Sequence, residues 1–296
     1  MNIADNLFSS PLNFAGLPSP YSDLNTAKVV ILPVPYDGTT EWHAGTRHGP
    51  EAIIHSSQYL ELYDIDFDKE LHTIGIHTLG PVQPILNSPK AMIQRVYKIA
   101  ANLIQRDKFT VMLGGEHSLS LGTVKALNEK YQNVSVLQLD AHADLRDEYS
   151  GTKYSHACIM RRLFECCDIT QVGIRSLSSK EQQFVKQNDL KLFYNSSLRQ
   201  NPESIQKIAD CLHENVYITV DLDVFDPSIM PATGAPEPGG LLWEETLGFL
   251  GAVFEQRQVV GVDVVELAPV AGLHACEFLA ARLVYKLIGM KFARGA

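Results

Sequence analysis

Clusters of basic residues are missing from this chain. Its 25 lysines and arginines face 34 acids, which leaves a formal charge of −9 at pH 7. Nucleic-acid binding needs a basic footprint, so none is expected. An acidic surface mildly favours a cationic partner. Long apolar runs are also missing, and no stretch is long enough to cross a membrane. The opening MNIADNLFSSPLNFAGL lacks a basic start and a continuous apolar core, so no signal peptide is expected. Cysteine is sparse. Cys158, Cys166, Cys167, Cys211 and Cys276 show neither disulfide nor zinc-ribbon spacing. An odd count without an export signal fits reduced thiols in a cytoplasmic protein. Internal repeats, low-complexity tracts and a long Pro/Gly/Ser linker are absent as well. The expected organisation is a loop-like N-terminal extension over residues 1–27, rich in Pro, Ser and Asn, and one domain over 28–296.

What is present is alternation. Short β-branched runs at 28–34, 72–78, 109–114, 134–140, 168–174, 190–194, 216–223 and 258–267 predict strands. Amphipathic segments near 49–58, 89–106, 118–130, 156–165, 179–187, 202–213, 243–256 and 274–289 predict helices. Several strands are apolar on both faces, as required when helices cover both sides of a parallel sheet. The expected fold is therefore α/β: a three-layer α/β/α domain with a mainly parallel sheet of about eight strands. A closed barrel of eight units is the alternative. PATGAPEPGG (231–240) holds too much Pro and Gly for anything but a loop.

Three of these strands end in side chains that a buried strand would not carry for packing. LGGEHS ends on His117, LDAHAD brings Asp140, His142 and Asp144, and TVDLDVFDP brings Asp221 and Asp223. Ligands of open α/β sheets bind beyond the carboxyl ends of the strands. Alternate residues of an extended chain share a face, so Asp140 and His142 point together, with Asp144 joining if the chain stays extended. Asp221 and Asp223 pair likewise. A single acid at a strand end is more often a helix cap or turn former, but three such ends together are hard to obtain for structural reasons. Acids held this close repel unless protonated, hydrogen-bonded or metal-bound. Four acids and two imidazoles exceed one tetrahedral zinc and suit two divalent metals. An oxygen-rich set without thiolate favours manganese or magnesium-like ions, and manganese accepts imidazole more readily. Such a pair lowers the pKa of a water between them, providing a hydrolytic nucleophile. Asp226, placed before a proline, reads as a turn former.

GGEHS, DAHADLR, SHA and DLDVFDP resemble the signatures of the ureohydrolases, the family of arginase and agmatinase, and are closest to its agmatinase-like branch. The resemblance continues through AGTRHGPEAI (44–53), GAPEPGG (234–240) and GVDVVELAP (261–269), nearly the whole chain. It implies a dinuclear manganese centre on a parallel α/β/α sheet and hydrolysis of a guanidino group to an amine and urea. His117, Asp140, Asp144 and Asp221 would hold one manganese. Asp140, His142, Asp221 and Asp223 would hold the other, with Asp140 and Asp221 bridging. His156, in YSHACIM, matches the active-site histidine that moves protons. Glu266, in VVELAP, matches the carboxylate that holds the guanidinium. The family also implies trimers or hexamers.

The resemblance narrows the substrate to a small cationic guanidino compound. Arginase-like members carry Asn two residues after the third ligand of the second motif, where this chain has Arg146. Agmatine, giving putrescine and urea in polyamine synthesis, therefore ranks first, and aminopropylagmatine is the nearest alternative. Guanidinobutyrate, formiminoglutamate and arginine rank lower. Arg146 is expected to pair with an acid such as Asp147 or Glu148. His43, His48 and His274 are candidates for the substrate entrance, while His55, His72, His77 and His213 are read as surface or packing residues. Two readings of other classes compete: a deacetylase-like hydrolase with one zinc, and a non-catalytic metal-binding homologue. The intact six-ligand set argues against the first, and His156 with Glu266 against the second.

Overall fold

Buried, β-branched strands force a sheet that is covered on both faces. The computed structural model describes residues 11–200 and 204–293. In chain order its elements are β1 (Val29–Val34), α1 (Gly49–Ser57), the hairpin β2 (Tyr63–Asp64) and β3 (Lys69–Glu70), β4 (Ile76–Thr78), α2 (Pro89–Gln105), β5 (Phe109–Gly114) and α3 (Ser120–Tyr131). There follow β6 (Ser135–Leu139), α4 (Ile159–Phe164), β7 (Ile169–Ile174), α5 (Ser179–Asn188), β8 (Lys191–Tyr194), α6 (Asn195–Gln200) and α7 (Ser204–Asp210). The chain closes with β9 (Asn215–Asp221), α8 (Trp243–Gln256), β10 (Gln258–Val265) and α9 (His274–Phe292).

Eight strands form one sheet in the order β4-β1-β5-β10-β9-β6-β7-β8, and every pair is parallel. The sheet is open, with β4 and β8 at its edges, so the closed barrel does not form. Alternation divides each strand between two layers. Leu137 and Leu139 of β6, with Ile218 and Val220 of β9, pack in the cluster that holds Ile53 of α1, Leu250 of α8 and Leu283 of α9. Val136 and Tyr217 join Ile93 of α2, Val124 of α3, Ile159 of α4 and Val185 of α5. This is the three-layer arrangement read from the sequence. Among the described residues no helix is long and apolar enough to cross a membrane.

Three boundaries differ from the reading of the sequence. Of residues 72–78 only Ile76–Thr78 pair; Leu71–Ile74 form a 3-10 turn, because Gly75 at φ 79 reverses the chain before the strand begins. β9 ends at Asp221 and β10 at Val265, so Asp223 and Glu266 lie beyond the strands. The short hairpin and α6 are additional; neither carries a run long enough to signal itself. Of the extension over 1–27, residues 1–10 lie outside the described residues. Phe14 and Leu17 are buried, and the backbone N–H groups of Phe14 and Ala15 donate to Thr78 Oγ1 (2.9 Å) and Ser57 Oγ (2.8 Å). The five cysteines are free thiols.

The end of β5 shows how tightly the centre of the sheet is drawn together. Gly115 N–H donates to Val34 O (3.0 Å) and its carbonyl accepts from Glu266 N–H (2.9 Å), which ties the exits of β1, β5 and β10. A Cβ on Gly115 would stand 1.8 Å from the Tyr36 carbonyl oxygen. Gly115→Ala is therefore expected to destabilise the fold by about 1–3 kcal/mol, by the overpacking it forces. The measurement is the urea unfolding midpoint at unchanged slope; an unshifted midpoint would show that the β1 exit can yield.

Candidate metal centre

Four neighbouring strands in the middle of the sheet, β5, β10, β9 and β6, deliver the candidate residues at their carboxyl ends. His117 opens a 3-10 turn after β5. Asp140 directly follows β6, and His142 bridges to Ser176 beyond β7. Asp221 is the last residue of β9, and Asp223 sits in the 3-10 turn that follows. Glu266 follows β10. The chain does not stay extended, the condition on which alternation would bring Asp144 to Asp140 and His142. Asp144 has φ 52 and Glu266 φ 65, both in the left-handed region that non-glycine residues rarely adopt. Asp144 is held there by its carbonyl, which accepts from Met160 N–H (3.0 Å). These turns, rather than strand alternation, aim the side chains.

All six sequence-derived ligands converge. Ligand atoms of His117, Asp140 and Asp221 lie within 4.8 Å of one another, as do those of Asp140, His142 and Asp223. Asp140 is common to both groups and turns a different oxygen to each imidazole: Oδ2 is 3.1 Å from His117 Nδ1, and Oδ1 is 3.6 Å from His142 Nδ1. Asp144 Oδ2 stands 3.3 Å and Asp221 Oδ2 3.5 Å from His117 Nδ1. His142 Nδ1 is 2.8 Å from Asp223 Oδ2. Asp221 joins only the His117 group directly; it meets the other through Asp223 N–H, which donates to Asp221 Oδ1 (2.9 Å).

The electrostatics require positive charge at this point. Asp140, Asp144, Asp221, Asp223 and Glu266 are all buried. Burial, then the Asp140 charge, pushes Asp144 up to about 7. Burial and the charges of Asp223 and Asp140 push Asp221 well above the usual carboxylate range. Burial opposes a charge on His117, yet Asp140, Asp144 and Asp221 hold its imidazole well above its ordinary value. A metal ion fits this demand better than a proton does. Thr219 Oγ1 donates to Asp263, so it accepts from His117 Nε2–H at 2.9 Å. With Nε2–H given to Thr219, Nδ1 is the His117 nitrogen that an ion would take in exchange for a proton; it is buried and faces three carboxylates. This donor set could hold two divalent ions.

A cleft of about 350 Å³ opens over the cluster, lined by His142, Asp144, His156, Asp221, Asp223 and Glu266. Its rim carries Glu41, Trp42, His43, Arg146 and Tyr149. Glu266 accepts from His117 N–H (2.6 Å), and burial with the Glu116 charge pushes its carboxyl well up. Burial pushes His156 down to about 4, against the pull of Glu41, so it is neutral at neutral pH. Of the three entrance candidates only His43 lines this cleft; His274 lies on a separate groove with His55. Arg146 does not pair with Asp147, because Arg162 and Lys153 occupy that acid. Its guanidinium stacks over Tyr149, 4.7 Å from the ring centroid. Asp226 is the turn former expected, accepting from Ser228, Gly239 and Gly240 N–H groups. Thr219, Asp263, Thr39 and Glu116 were given no role in the sequence reading. Two of them left a visible signal: an acid inside an apolar run, at Asp263, and an acid beside a candidate ligand, at Glu116.

Residues 27–289 match the profile of the Arginase family. The chain belongs to the arginase family. Among curated relatives of this arginase-family chain, it is 38% identical to the N(1)-aminopropylagmatine ureohydrolase of Synechocystis sp., over 89% of each chain. It is 32% identical to the agmatinase of Pyrococcus horikoshii, over 92% of this chain and 94% of that one. Its fold superposes on the crystal structure of the agmatine ureohydrolase of Thermoplasma volcanium with a TM-score of 0.88 at 30% identity, covering 97% and 96% of the two chains.

Binding of divalent ions is expected to expel protons. Asp144, at about 7 in the ion-free protein, is mostly protonated near pH 6 and mostly ionised near pH 8, and His117 and His142 carry protons throughout. Ligation needs all three deprotonated, so affinity should fall as pH falls from about 8 to about 6. Titration calorimetry in buffers of differing ionisation enthalpy reads both effects; binding without proton release would contradict the ligand set. Asp140→Ala is expected to abolish binding of both ions, whereas Asp223→Ala should spare the His117 side, as counted by metal analysis.

Proposed function

We propose that this arginase-family ureohydrolase cleaves the guanidino group of an agmatine-like cation, with aminopropylagmatine first and agmatine second. The reading as a guanidino C–N hydrolase rests on the family and on the convergence of the six ligands beneath a cleft that ends in Glu266 and His156. We assign the metal set as His117, Asp140, Asp144 and Asp221 on one side and Asp140, His142, Asp221 and Asp223 on the other, occupied by two manganese ions. When bound, the ions would supply an ionised water as nucleophile at neutral pH.

The chain's own residues supply the remaining steps. Glu266, already buried and short of positive charge, binds the planar guanidinium, for which a carboxylate is the matching partner. Water adds to the guanidinium carbon and the bond to the substituted nitrogen breaks. To leave as an ammonium the departing nitrogen needs two protons, and both come from the water. His156 is neutral at neutral pH, so it can take the two protons from the water oxygen one after the other, as the C–O bond forms and as the urea carbonyl forms, and pass each to that nitrogen. The products are urea and the ammonium form of the amine, with charge conserved.

The order of substrates differs from the one read off the sequence. The 38% identity to an aminopropylagmatine ureohydrolase supports the longer cation; the rim offers Glu41 for a distal ammonium, and Glu237 stands 4.0 Å from His142 Nε2. Arg146, stacked on Tyr149, is directed to an aromatic face instead of a substrate carboxylate. One catalytic domain over 28–296 and a cytoplasmic homo-oligomer, trimer or hexamer, belong to the same reading.

Urea release by the manganese-loaded protein tests it, comparing aminopropylagmatine, agmatine, arginine and guanidinobutyrate at equal concentration. Preference for either of the first two is expected; preference for a carboxylate-bearing substrate would overturn the substrate class and leave the metal chemistry intact. His156→Ala is expected to keep both ions and lose about 100-fold or more in kcat. Equal loss of metal would make it a ligand instead.

A further inference from the structure

His156 stands on a relay that reaches it from the loop after β1. Thr39 Oγ1 lies 3.1 Å from His156 Nδ1 and accepts from His156 N–H at 3.0 Å. The same hydroxyl is 2.8 Å from Glu116 Oε1, and Thr39 N–H donates to Glu116 Oε2 at 2.6 Å. Ser118 Oγ also donates to Glu116 Oε1. Glu116 is fully buried.

We infer that Thr39 and Glu116 are positioning residues that fix His156 in the tautomer with hydrogen on Nδ1, leaving Nε2 as its proton-accepting atom. The argument is one of donors and acceptors, and it rests on the proposed role of His156. A hydroxyl has a single hydrogen and two lone pairs. In its carboxylate form Glu116 has only acceptors to offer the three donors around it, so it takes the Thr39 hydrogen. One lone pair of Thr39 is taken by His156 N–H, so the other can only receive a hydrogen from Nδ1. Ser155 Oγ, the other group near Nδ1, stands farther off at 3.4 Å. An imidazole held in the opposite tautomer would offer Nδ1 to the wall and have no basic nitrogen for the reaction. Glu116 and Thr39 touch no reacting atom and act only through the ring.

The test reads the tautomer directly. Protein labelled with ¹⁵N-histidine and loaded with diamagnetic magnesium gives ring-nitrogen shifts, with His156 assigned by its loss in His156→Asn. The wild type should show hydrogen on Nδ1. Glu116→Gln should reverse it: the amide oxygen keeps Thr39 N–H, the amide nitrogen donates to the two hydroxyls, and Thr39 then donates to Nδ1. Thr39→Val should leave the tautomer unfixed and lower kcat at least about tenfold with KM and metal content unchanged. Thr39→Ser should restore both readouts, which a merely structural role would not require. Hydrogen on Nε2 in the wild type, or an unchanged tautomer in Glu116→Gln, would overturn the inference, and both remain measurable should Thr39→Val fail to fold. If His156→Ala retains full kcat, the catalytic role of His156 falls, whereas the tautomer assignment is judged by the shifts alone.

Discussion

Repulsion among buried carboxylates is the constraint on which the centre of this protein depends. Glu116, Asp140, Asp144, Asp221, Asp223 and Glu266 are withdrawn from water at the carboxyl ends of adjacent strands. Each such group is costly to bury unless its oxygens are met. The fold meets them in part: Ala141 N–H donates to Asp223 (2.9 Å), Gln138 Nε2 to Asp140 (2.6 Å), and His117 N–H to Glu266 (2.6 Å). These bonds orient the acids without neutralising them. The charge that these bonds leave unmet is what the site can offer to divalent ions and, in the proposed function, to a guanidinium.

Two histidines in this setting are given opposite ends by the same device. For each, a threonine hydroxyl is committed to a buried acid, Asp263 for Thr219 and Glu116 for Thr39. The ring nitrogen facing that hydroxyl must then carry the hydrogen. In His117 this leaves Nδ1, facing the carboxylate cluster, as the nitrogen whose proton an ion would displace. In His156 the same arithmetic bares Nε2. Outer partners that set which nitrogen is basic are as much a part of such a centre as the nitrogens themselves.

The layered fold was legible because its strands are apolar on both faces and its helices on one. The ligands were legible for the opposite reason: acids and imidazoles at the ends of apolar runs serve no packing purpose. What escaped was whatever depends on approach in space. Thr39 lies in a loop whose sequence says nothing of Glu116, and Thr219 reads as an ordinary β-branched strand residue. Asp144 and Glu266 are expected functional residues, but nothing in the sequence signals their left-handed backbone, since neither is glycine. The sequence reading brought Asp144 to the site by alternation, whereas the chain brings it by a turn.

That backbone geometry sets stability against function at two named positions. A non-glycine residue at positive φ costs about 1–3 kcal/mol, and at Asp144 and Glu266 the residues that bear that cost are two carboxylates of the candidate metal centre and its cleft. A search for heat-resistant variants of this enzyme would be drawn to glycine at both places, since it relieves the backbone there. The same exchange would delete a carboxylate from the metal cluster or from the substrate cleft. Under the proposed function, resistance to heat has to be sought elsewhere in the chain, because these two strained turns carry carboxylates that the reaction needs.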